Sequence, residues 1–353
     1  MIIGITGGDG FIGYHTYVYL KYTTEHEVIK LDRNFIDDDR IKECDWVIHL
    51  AGMNRGDVEE IYQTNIQLTS DLLNSISDDT KVLFASSQQA EEDNLYGASK
   101  RKCEEMLRDA NSHHRSIRIP NVFGPFCKPN YNSFVATFCH KLCNDEEPEV
   151  IVDNTVQLTF VTDVVKMFIE LIETDTINPL PHEFTKVTEV LEMLKSYKTK
   201  YLADGKIPNL DTKFKKNLFN TFRSYMKHDD RLFSTITHSD ERGDLAELAN
   251  VDMSEGLVFT SITNSGFKRG EHFHTRKFER FCVIDGEAVI RLRKVETDEM
   301  VEYNVSGKEI KFIDMPIFYT HNIENTGKTK LRTIFWVSEL LDKNDTDTYW
   351  EDV

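Results

Sequence analysis

The first thirteen residues, MIIGITGGDGFIG, limit the possible folds of this chain more than any other stretch. Ile2, Ile3 and Ile5 form a short apolar run of the kind that fills a buried strand, and residues 11–21 read as a helix. Between them stands T-G-G-D-G-F-I-G, with glycines at 7, 10 and 13. A strand, a glycine turn and a helix start make a dinucleotide pyrophosphate site. Gly7 permits the tight turn, Gly10 lets the phosphates approach the backbone, and Gly13 lets helix pack on strand. The first-turn N–H groups and the positive helix end face the anion. Gly7, Gly10, Phe11 and Ile12 are the cofactor-binding candidates of this turn.

Residues 28–32 (VIKLD) read as a second strand, and Asp32 lies 19 residues past Gly13, where a ribose-binding carboxylate belongs. Arg33 follows at once. Asp32 favours NAD through a ribose hydroxyl, and Arg33 favours NADP through a 2′-phosphate, so the two signals conflict. Further strands are expected at 45–50, 81–86, 116–120 and 150–152, with helices over 59–75 and from Tyr96 onward. This alternation predicts an α/β domain with a doubly wound parallel sheet. Residues 212–227 carry Phe214, Leu218, Phe219, Phe222, Tyr225 and Met226 at helical spacing, which predicts an amphipathic helix closing that first domain. From residue 228 short alternating runs at 258–263, 279–283, 288–294, 300–305, 310–314 and 331–337, punctuated by glycines, predict a β-sandwich or barrel. The expected domains are therefore 1–227 and 228–353, and a length of 353 residues accommodates two.

Sixty acidic residues against 42 basic ones leave a formal charge of −18, which excludes nucleic acid and anionic membrane as partners. No run approaches ~18 continuous apolar residues, so no membrane span is expected. The glycine motif begins at once, which predicts no leader and a cytoplasmic protein. Six cysteines at irregular spacing, with no C-x-x-C pair, read as free thiols in a reducing compartment.

Two constellations carry chemistry. Tyr96 and Lys100 share a helix face, and a nearby ammonium is expected to lower the phenol's pKa and make it a general acid and base. Ser87, just after a strand, is placed to hydrogen-bond a substrate carbonyl. In the second half stands His272-x-His274, then Glu279, then Gly286; further on come Pro316, His321 and Asn325. Residues two apart on a strand share a face, so His272 and His274 point together, with Glu279 and His321 completing one site. Three imidazoles and a carboxylate suit Zn, Fe, Mn or Ni, and spacing alone does not choose.

Thr6–Gly13, Asp32, His49-Leu50-Ala51-Gly52, Asn65, Ser87, Tyr96, Lys100, residues 118–125 and residues 160–163 (FVTD) together resemble the extended short-chain dehydrogenase/reductases, in their nucleotide-sugar branch. That resemblance implies a Rossmann-type fold with Ser87, Tyr96 and Lys100 as catalytic residues. It adds Leu50, Ala51, Gly52 and Asn65 to the cofactor contacts, and Asn121 and Asn132 to the substrate contacts. The gap of nine residues from Ser87 to Tyr96 is shorter than is usual there. Residues 228–353 resemble the cupin barrels, with Phe318 where a glycine is usual. Residues 240–247 (DERGDLAE) resemble the D-x-R-G-x-x-x-E stretch of nucleotide-diphospho-4-keto-sugar 3,5-epimerases, which makes Arg242 a substrate contact.

A reductase followed by a cupin resembles the two-domain capsular polysaccharide synthesis enzyme F family, through HLAGMNR (49–55), PNYNSFVATFCH (129–140), residues 240–243 and YTHNIEN (319–325). The resemblance implies a UDP-linked 4-keto-6-deoxy amino sugar, a UDP-2-acetamido-2,6-dideoxy-hexos-4-ulose, as substrate. It further implies that the cupin epimerises C3 and that the reductase then reduces the C4 ketone with NADP(H), or NAD(H) in its place. The product expected from the resemblance is a UDP-N-acetyl-6-deoxy-L-hexosamine for polysaccharide or glycan synthesis. One divalent ion, zinc first, is expected at His272, His274, Glu279 and His321, and a homodimer is expected. The epimerase base stays open between Tyr319, Lys277 and His238. Two other readings stand beside this one: a 4-keto-sugar reductase with a non-catalytic cupin for dimerisation and binding, and a redox-neutral 4-epimerase or dehydratase.

Overall fold

Period-two apolar patterning builds the first unit, Met1–Thr137 with Val152–Val187. The computed structural model describes all residues except 112, 204, 235–236, 241–242, 247–255 and 341, and only the backbone of 237–240 and 243–246. The unit's elements begin β1 (Ile2–Thr6), α1 (Phe11–Thr23), β2 (Glu27–Leu31), β3 (Trp46–His49), α2 (Val58–Ser75), β4 (Lys81–Ser87), α3 (Leu95–Ala110) and β5 (Arg115–Ile119). The strands form one parallel sheet in the order β2-β1-β3-β4-β5. Alternate residues of each strand bury on opposite faces. Ile3, Ile5, Trp46, Ile48 and Leu83 pack with Leu20, Val164 and Phe168 on one side. Val47, Val82 and Phe84 pack with Leu72, Cys103 and Leu107 on the other. Helices on both faces make the sheet doubly wound, as expected. In such sheets ligands bind at the carboxyl ends of the strands where the strand order reverses, here beside β1.

The expected strand at 150–152 is absent: Ile151 and Val152 are exposed. An apolar triplet with no partner strand gains nothing from extension. The strand falls a few residues later. β6 (Asn121–Phe123), β7 (Thr155–Phe160) and β8 (Glu183–Lys186) form a separate three-stranded sheet. The helix α4 (Phe134–Cys143) lies between β6 and β7 in the chain, and α5 (Val161–Thr174) follows β7 directly.

The second unit comprises Phe138–Ile151 and Thr188–Val353, so the expected boundary at 227/228 falls inside it. After residues 138–151, which include most of α4, it continues with α6 (Val187–Tyr197) and α7 (Lys213–Arg223). Helix α7, expected to close the first domain, packs within the second unit instead. Phe219 meets the rings of Tyr201 at 4.7 Å and Phe278 at 5.5 Å, and Asn220 Nδ2 donates to the Arg276 carbonyl at 2.7 Å. An amphipathic stripe states that a face is buried; it does not state against which sheet. Below the helix lies a fully buried polar group, Asp314. Its carboxylate accepts from Arg280 Nε at 2.7 Å and Nη2 at 2.9 Å and from the Tyr201 hydroxyl at 2.5 Å. Arg223 Nε in turn donates to that hydroxyl at 2.9 Å. Burial works against the Asp314 charge, and Arg280 outweighs it, holding the carboxyl below its ordinary value.

The β part follows as β9 (Leu232–Ser234), β10 (Thr237–Asp240), β11 (Gly243–Ala246), β12 (Leu257–Thr263), β13 (Lys268–Phe273), β14 (Glu279–Asp285), β15 (Glu287–Lys294), β16 (Met300–Ser306), β17 (Lys311–Met315), β18 (Tyr319–Asn325), β19 (Leu331–Val337) and β20 (Tyr349–Trp350). Two five-stranded antiparallel sheets, β12-β19-β14-β17-β9 and β16-β15-β18-β13-β20, make the all-β half. The six cysteines are free. No helix among the described residues is long and apolar enough to cross a membrane.

Candidate active site and metal centre

The glycine turn has the geometry its sequence demands. Gly7 adopts φ +69°, and a Cβ there would lie 2.8 Å from the Ala51 nitrogen. At Gly13 a Cβ would stand 2.1 Å from the Gly7 carbonyl, so helix and turn touch backbone to backbone. Helix α1 starts after Gly10 with no side-chain cap, which leaves the first-turn amides of Phe11, Ile12 and Gly13 to an external acceptor. Leu31 lies opposite Thr6 in the sheet, so Asp32 and Arg33, both exposed, emerge beside this turn.

The loop after β3 closes the other side. Thr6 Oγ1 contacts His49 Nδ1 at 2.8 Å and accepts from the Ala51 amide at 3.2 Å, which fixes Leu50 and Ala51 against β1. Burial, with Lys100 nearby, pushes the His49 pKa down to about 3, so its imidazole is neutral. Asn65, on α2, accepts from the Met53 amide at 2.7 Å and donates to the Met53 carbonyl at 2.9 Å and to Ser99 Oγ at 3.0 Å. A Cβ on Gly52 would come 3.3 Å from Asn65 Oδ1 and 3.7 Å from Lys100 Nζ. The glycine thus keeps a cradle open beside the lysine.

Ser87 ends β4, and a short turn over Gln88–Glu91 spans the gap to α3. Arg101 Nη1 donates to the carbonyls of Ala90 at 2.5 Å and Glu92 at 2.8 Å, which accounts for how so short a connection holds its shape. Asn94 caps α3 by accepting from the Gly97 amide at 2.7 Å. Tyr96 stands in the first turn; burial raises its phenol pKa, and a hydrogen bond with Ser87 works the other way. Lys100 is buried, its pKa pushed down to about 8 by burial against the opposing charges of Cys103 and Glu104. Its Nζ donates to the Ala85 carbonyl at 3.0 Å and lies 6.0 Å from the Tyr96 ring centroid. The expectation that Lys100 directly lowers the Tyr96 pKa is therefore corrected: desolvation dominates, and the ammonium is engaged by β4. Behind it, Glu104 accepts from Ser86 Oγ at 2.5 Å and from Arg118 Nε at 3.0 Å and Nη2 at 2.7 Å. Glu104 sits one helical turn beyond Lys100, an i, i+4 signal that sequence reasoning missed.

Asn121 lies exposed on β6, opposite Leu158. Asn132 Nδ2 donates to the Asn54 carbonyl at 3.2 Å, and Arg55 Nη1 donates to the carbonyl of Tyr131 at 2.9 Å and to that of Asn130. The segments around 54 and 131 are thereby tied together. Arg242 lies outside the described residues, and of His238 only the backbone is described.

In the second unit His272, His274, Glu279 and His321 converge as their spacing predicts, with one ligand atom from each within 4.8 Å of the others. His272 pairs with His321 across β13 and β18, while Glu279 comes from β14 in the facing sheet. Their imidazole Nε2 atoms surround one oxygen, Glu279 Oε2: His321 at 3.1 Å, His274 at 3.3 Å and His272 at 4.0 Å. His274 Nδ1 donates to the Asp347 carbonyl at 2.6 Å, and His321 Nδ1 to the Tyr319 carbonyl at 3.1 Å. In the neutral ring a proton on Nδ1 leaves a lone pair on Nε2. Lone pairs then face a carboxylate at hydrogen-bond distance, an arrangement that calls for a cation between them or a proton on a ring. Burial works to raise the Glu279 carboxyl, but His274 and His321 outweigh it and hold it well below its ordinary value. Burial, with the other two imidazoles, lowers His272 to about 3. The donor set fits a divalent metal of the zinc type.

Phe318, where a glycine was expected, takes the left-handed conformation at φ +60° with its ring fully buried. Its amide donates to the His274 carbonyl at 2.7 Å. The turn therefore keeps the glycine-like geometry and fills the space with a side chain. A cavity of about 280 Å³ beside the cluster is lined by Glu279, Phe259, Arg276, Lys277 and Thr346, among others. Lys277 Nζ donates to the Thr346 carbonyl at 2.6 Å. Tyr319 is instead buried under the Arg231 guanidinium, 4.8 Å from its ring centroid.

Residues 3–184 match the NAD dependent epimerase/dehydratase family, and residues 238–349 match the polysaccharide biosynthesis C-terminal domain. A Pseudomonas aeruginosa protein, UDP-2-acetamido-2,6-beta-L-arabino-hexul-4-ose reductase, is 31% identical over 99% of this chain and 98% of its own. The crystal structure of the capsular polysaccharide assembling protein CapF from Staphylococcus aureus matches over 100% of both chains at 35% identity and a TM-score of 0.64. UDP-glucuronic acid 4-epimerase from Bacillus cereus, solved with UDP-glucuronic acid and NAD, covers 57% of this chain and 84% of its own. At 18–19% identity across its two structures and a TM-score of 0.51 in this complex, it shares the fold of the first half.

Proposed function

The chain belongs to the NAD-dependent epimerase/dehydratase family, in the two-domain form of CapF, and from that premise we propose that it carries out two steps on one UDP-linked sugar. It is an enzyme of the nucleotide-sugar reductase and epimerase family, which works with a nicotinamide cofactor. The proposed substrate is a UDP-2-acetamido-2,6-dideoxy-hexos-4-ulose. The second unit epimerises C3 and the first reduces the C4 ketone, yielding a UDP-N-acetyl-6-deoxy-L-hexosamine for a polysaccharide or glycan.

The observation that carries the reductive step is the grouping of Ser87, Tyr96 and Lys100 beside the glycine turn. The cradle fits a nicotinamide dinucleotide: open amides at the start of α1, and a glycine at 52 that leaves room next to Lys100. That cofactor, when bound, supplies the hydride. Ser87 orients the ketone oxygen, and Tyr96, held in its protonated form by burial, gives that oxygen a proton. Lys100 carries positive charge below about pH 8 and is held beside the cradle by its hydrogen bond to the Ala85 carbonyl. Arg33 favours NADP(H), against Asp32 for NAD(H). The expected site residues are Gly7, Gly10, Phe11, Ile12, Asp32, Arg33, Leu50, Ala51, Gly52, Asn65, Tyr96 and Lys100 for cofactor, and Asn121, Asn132 and Arg242 for substrate.

For the C3 step the support is the cavity that Glu279 shares with Lys277 and Arg276. A C3 proton is acidic only because C4 is a ketone, and the step needs a base with access to the sugar. Lys277 lines that cavity and is the favoured base over the buried Tyr319. One divalent ion, zinc first, is proposed at His272, His274, Glu279 and His321, where it would polarise a carbonyl or hold the barrel in shape. The chain is proposed to act as a homodimer in the cytoplasm. NMR of the product formed from the 4-keto sugar in D2O, with and without NADPH, tests the whole reading. Deuterium at C3 without NADPH, and a reduced C4 only with it, is the expected result. Reduction with no C3 exchange would favour a reductase carrying a non-catalytic β half, and turnover with no net cofactor oxidation would favour a redox-neutral enzyme.

A further inference from the structure

The last residues of the chain hold the histidine cluster from outside. Asp347 is buried, with φ +44°. Its Oδ1 accepts from the Thr275 amide at 3.1 Å and the Thr275 hydroxyl at 2.6 Å, and its Oδ2 from the amides of Arg276 at 3.1 Å and Lys277 at 3.0 Å. One carboxylate therefore ties down residues 275–277 of the turn between His274 and Glu279. The same residue's carbonyl accepts from His274 Nδ1 at 2.6 Å. The chain then pairs with β13, with Trp350 opposite His272 and its ring 5.8 Å from that imidazole. The Glu351 amide donates to the Glu271 carbonyl at 3.0 Å, and the Glu351 carbonyl accepts from the Thr320 hydroxyl, next to His321.

We propose that Asp347 is the positioning residue of the His272, His274, Glu279 and His321 site, its carboxylate fixing the 275–277 turn and its carbonyl fixing the His274 ring so that Nε2 presents its lone pair to the cluster. The inference rests on the metal reading only for its affinity effect; the ring orientation stands on its own. Partners of ligating histidines typically change metal affinity 10- to 100-fold when removed. An aspartate in the left-handed region is also one of the few side chains that tolerates that backbone, and asparagine is another. Asp347→Asn therefore tolerates the same φ, but its weaker hold on residues 275–277 lets the 347 carbonyl and the His274 ring shift apart. It replaces an oxygen that accepts two amide protons with an NH2 that accepts none.

The test uses the full-length protein. Zinc affinity, read by competition with a chelator, is expected to fall about 10- to 100-fold in Asp347→Asn, with NADPH binding unchanged. In chelator-treated protein labelled with 15N-histidine, the wild type is expected to show His274 as a single Nδ1–H tautomer, and Asp347→Asn a mixture. Unchanged affinity and an unchanged tautomer would overturn the proposal. If the wild type takes up no zinc, the metal reading fails and the tautomer comparison alone decides the role of Asp347. Should Asp347→Asn not fold, Thr275→Val carries the test, since it deletes one hydrogen bond to the same carboxylate and leaves all four ligands. A several-fold loss of zinc affinity or a mixed tautomer supports the proposal, and wild-type behaviour in both overturns it.

Discussion

Lys100 sits where charge is costly, and that cost has a pH signature. Its pKa falls from 10.5 to about 8 on burial, so between those values the unfolded chain binds more protons at this site than the folded one. Wild-type stability from this group therefore rises with pH across that window. Lys100→Met removes the group. It is expected to be more stable than wild type at pH 7, by roughly 1–3 kcal/mol, with the gap closing from pH 8 toward 10; urea denaturation at several pH values checks it. Activity is expected to move the opposite way, falling in the variant at every pH. Tyr96 is the complementary case. Its raised pKa keeps the proton on the phenol at neutral pH, ready to be given away. Tyr96→Phe is expected to bind NADPH as wild type does and to lose ketone reduction by about 10²- to 10⁴-fold, read as NADPH oxidation. Sequence spacing was enough to bring Tyr96 and Lys100 to one helix face. It could not show that Lys100 spends its hydrogen bond on Ala85, because that depends on how deeply α3 sinks against β4.

Strand β13 shows how an element aims side chains. Its register slips between Gly270 and His272, and both Gly270, at φ +105°, and Glu271, at φ +62°, take left-handed backbone. A bulge of this kind re-aims the residues that follow it. A Cβ on Gly270 would meet the His321 carbonyl at 2.5 Å, so Gly270→Ala must push β13 off β18 where the two histidines face each other. The expected outcome is a destabilisation of about 1–3 kcal/mol or more together with loss of bound zinc, checked by thermal unfolding and metal analysis. The motif H-x-H gave the shared face and Glu279 and His321 gave the ligand set, so this cluster was legible residue by residue. The bulge was not, since it follows from tertiary pairing. The short strands β6, β8, β9, β10, β11 and β20 were missed as well, being two to four residues long and too short to show a period.

Across the molecule, the two candidate sites draw on separate sets of residues, one per unit. Full-length Tyr96→Phe is therefore expected to go on exchanging the C3 proton of the 4-keto sugar for deuterium, stalling at the ketone. His274→Gln is expected to lose that exchange and keep NADPH binding. Parallel NMR and nucleotide-binding assays on both variants check the division, and loss of exchange in Tyr96→Phe would assign both steps to the first unit. The α/β and all-β halves were readable from periodicity, but the seam between them was not, because the stripe on α7 names no partner. That seam bears on how such a gene can be recombined. A crossover at residue 227 would draw Tyr201 and Arg223 from one parent, and Arg280 and Asp314 from the other. If the parent that supplies residues 201 and 223 lacks the hydroxyl or the guanidinium, Asp314 keeps its pair with Arg280 but loses support from the Tyr201 side, and a hydrogen bond lost from a buried charged group costs about 1–3 kcal/mol. Residues 201 and 223 therefore have to match the 280–314 pair they support, and chimaeras of this architecture are best joined so that 138–151 and 188–227 travel along with the β strands.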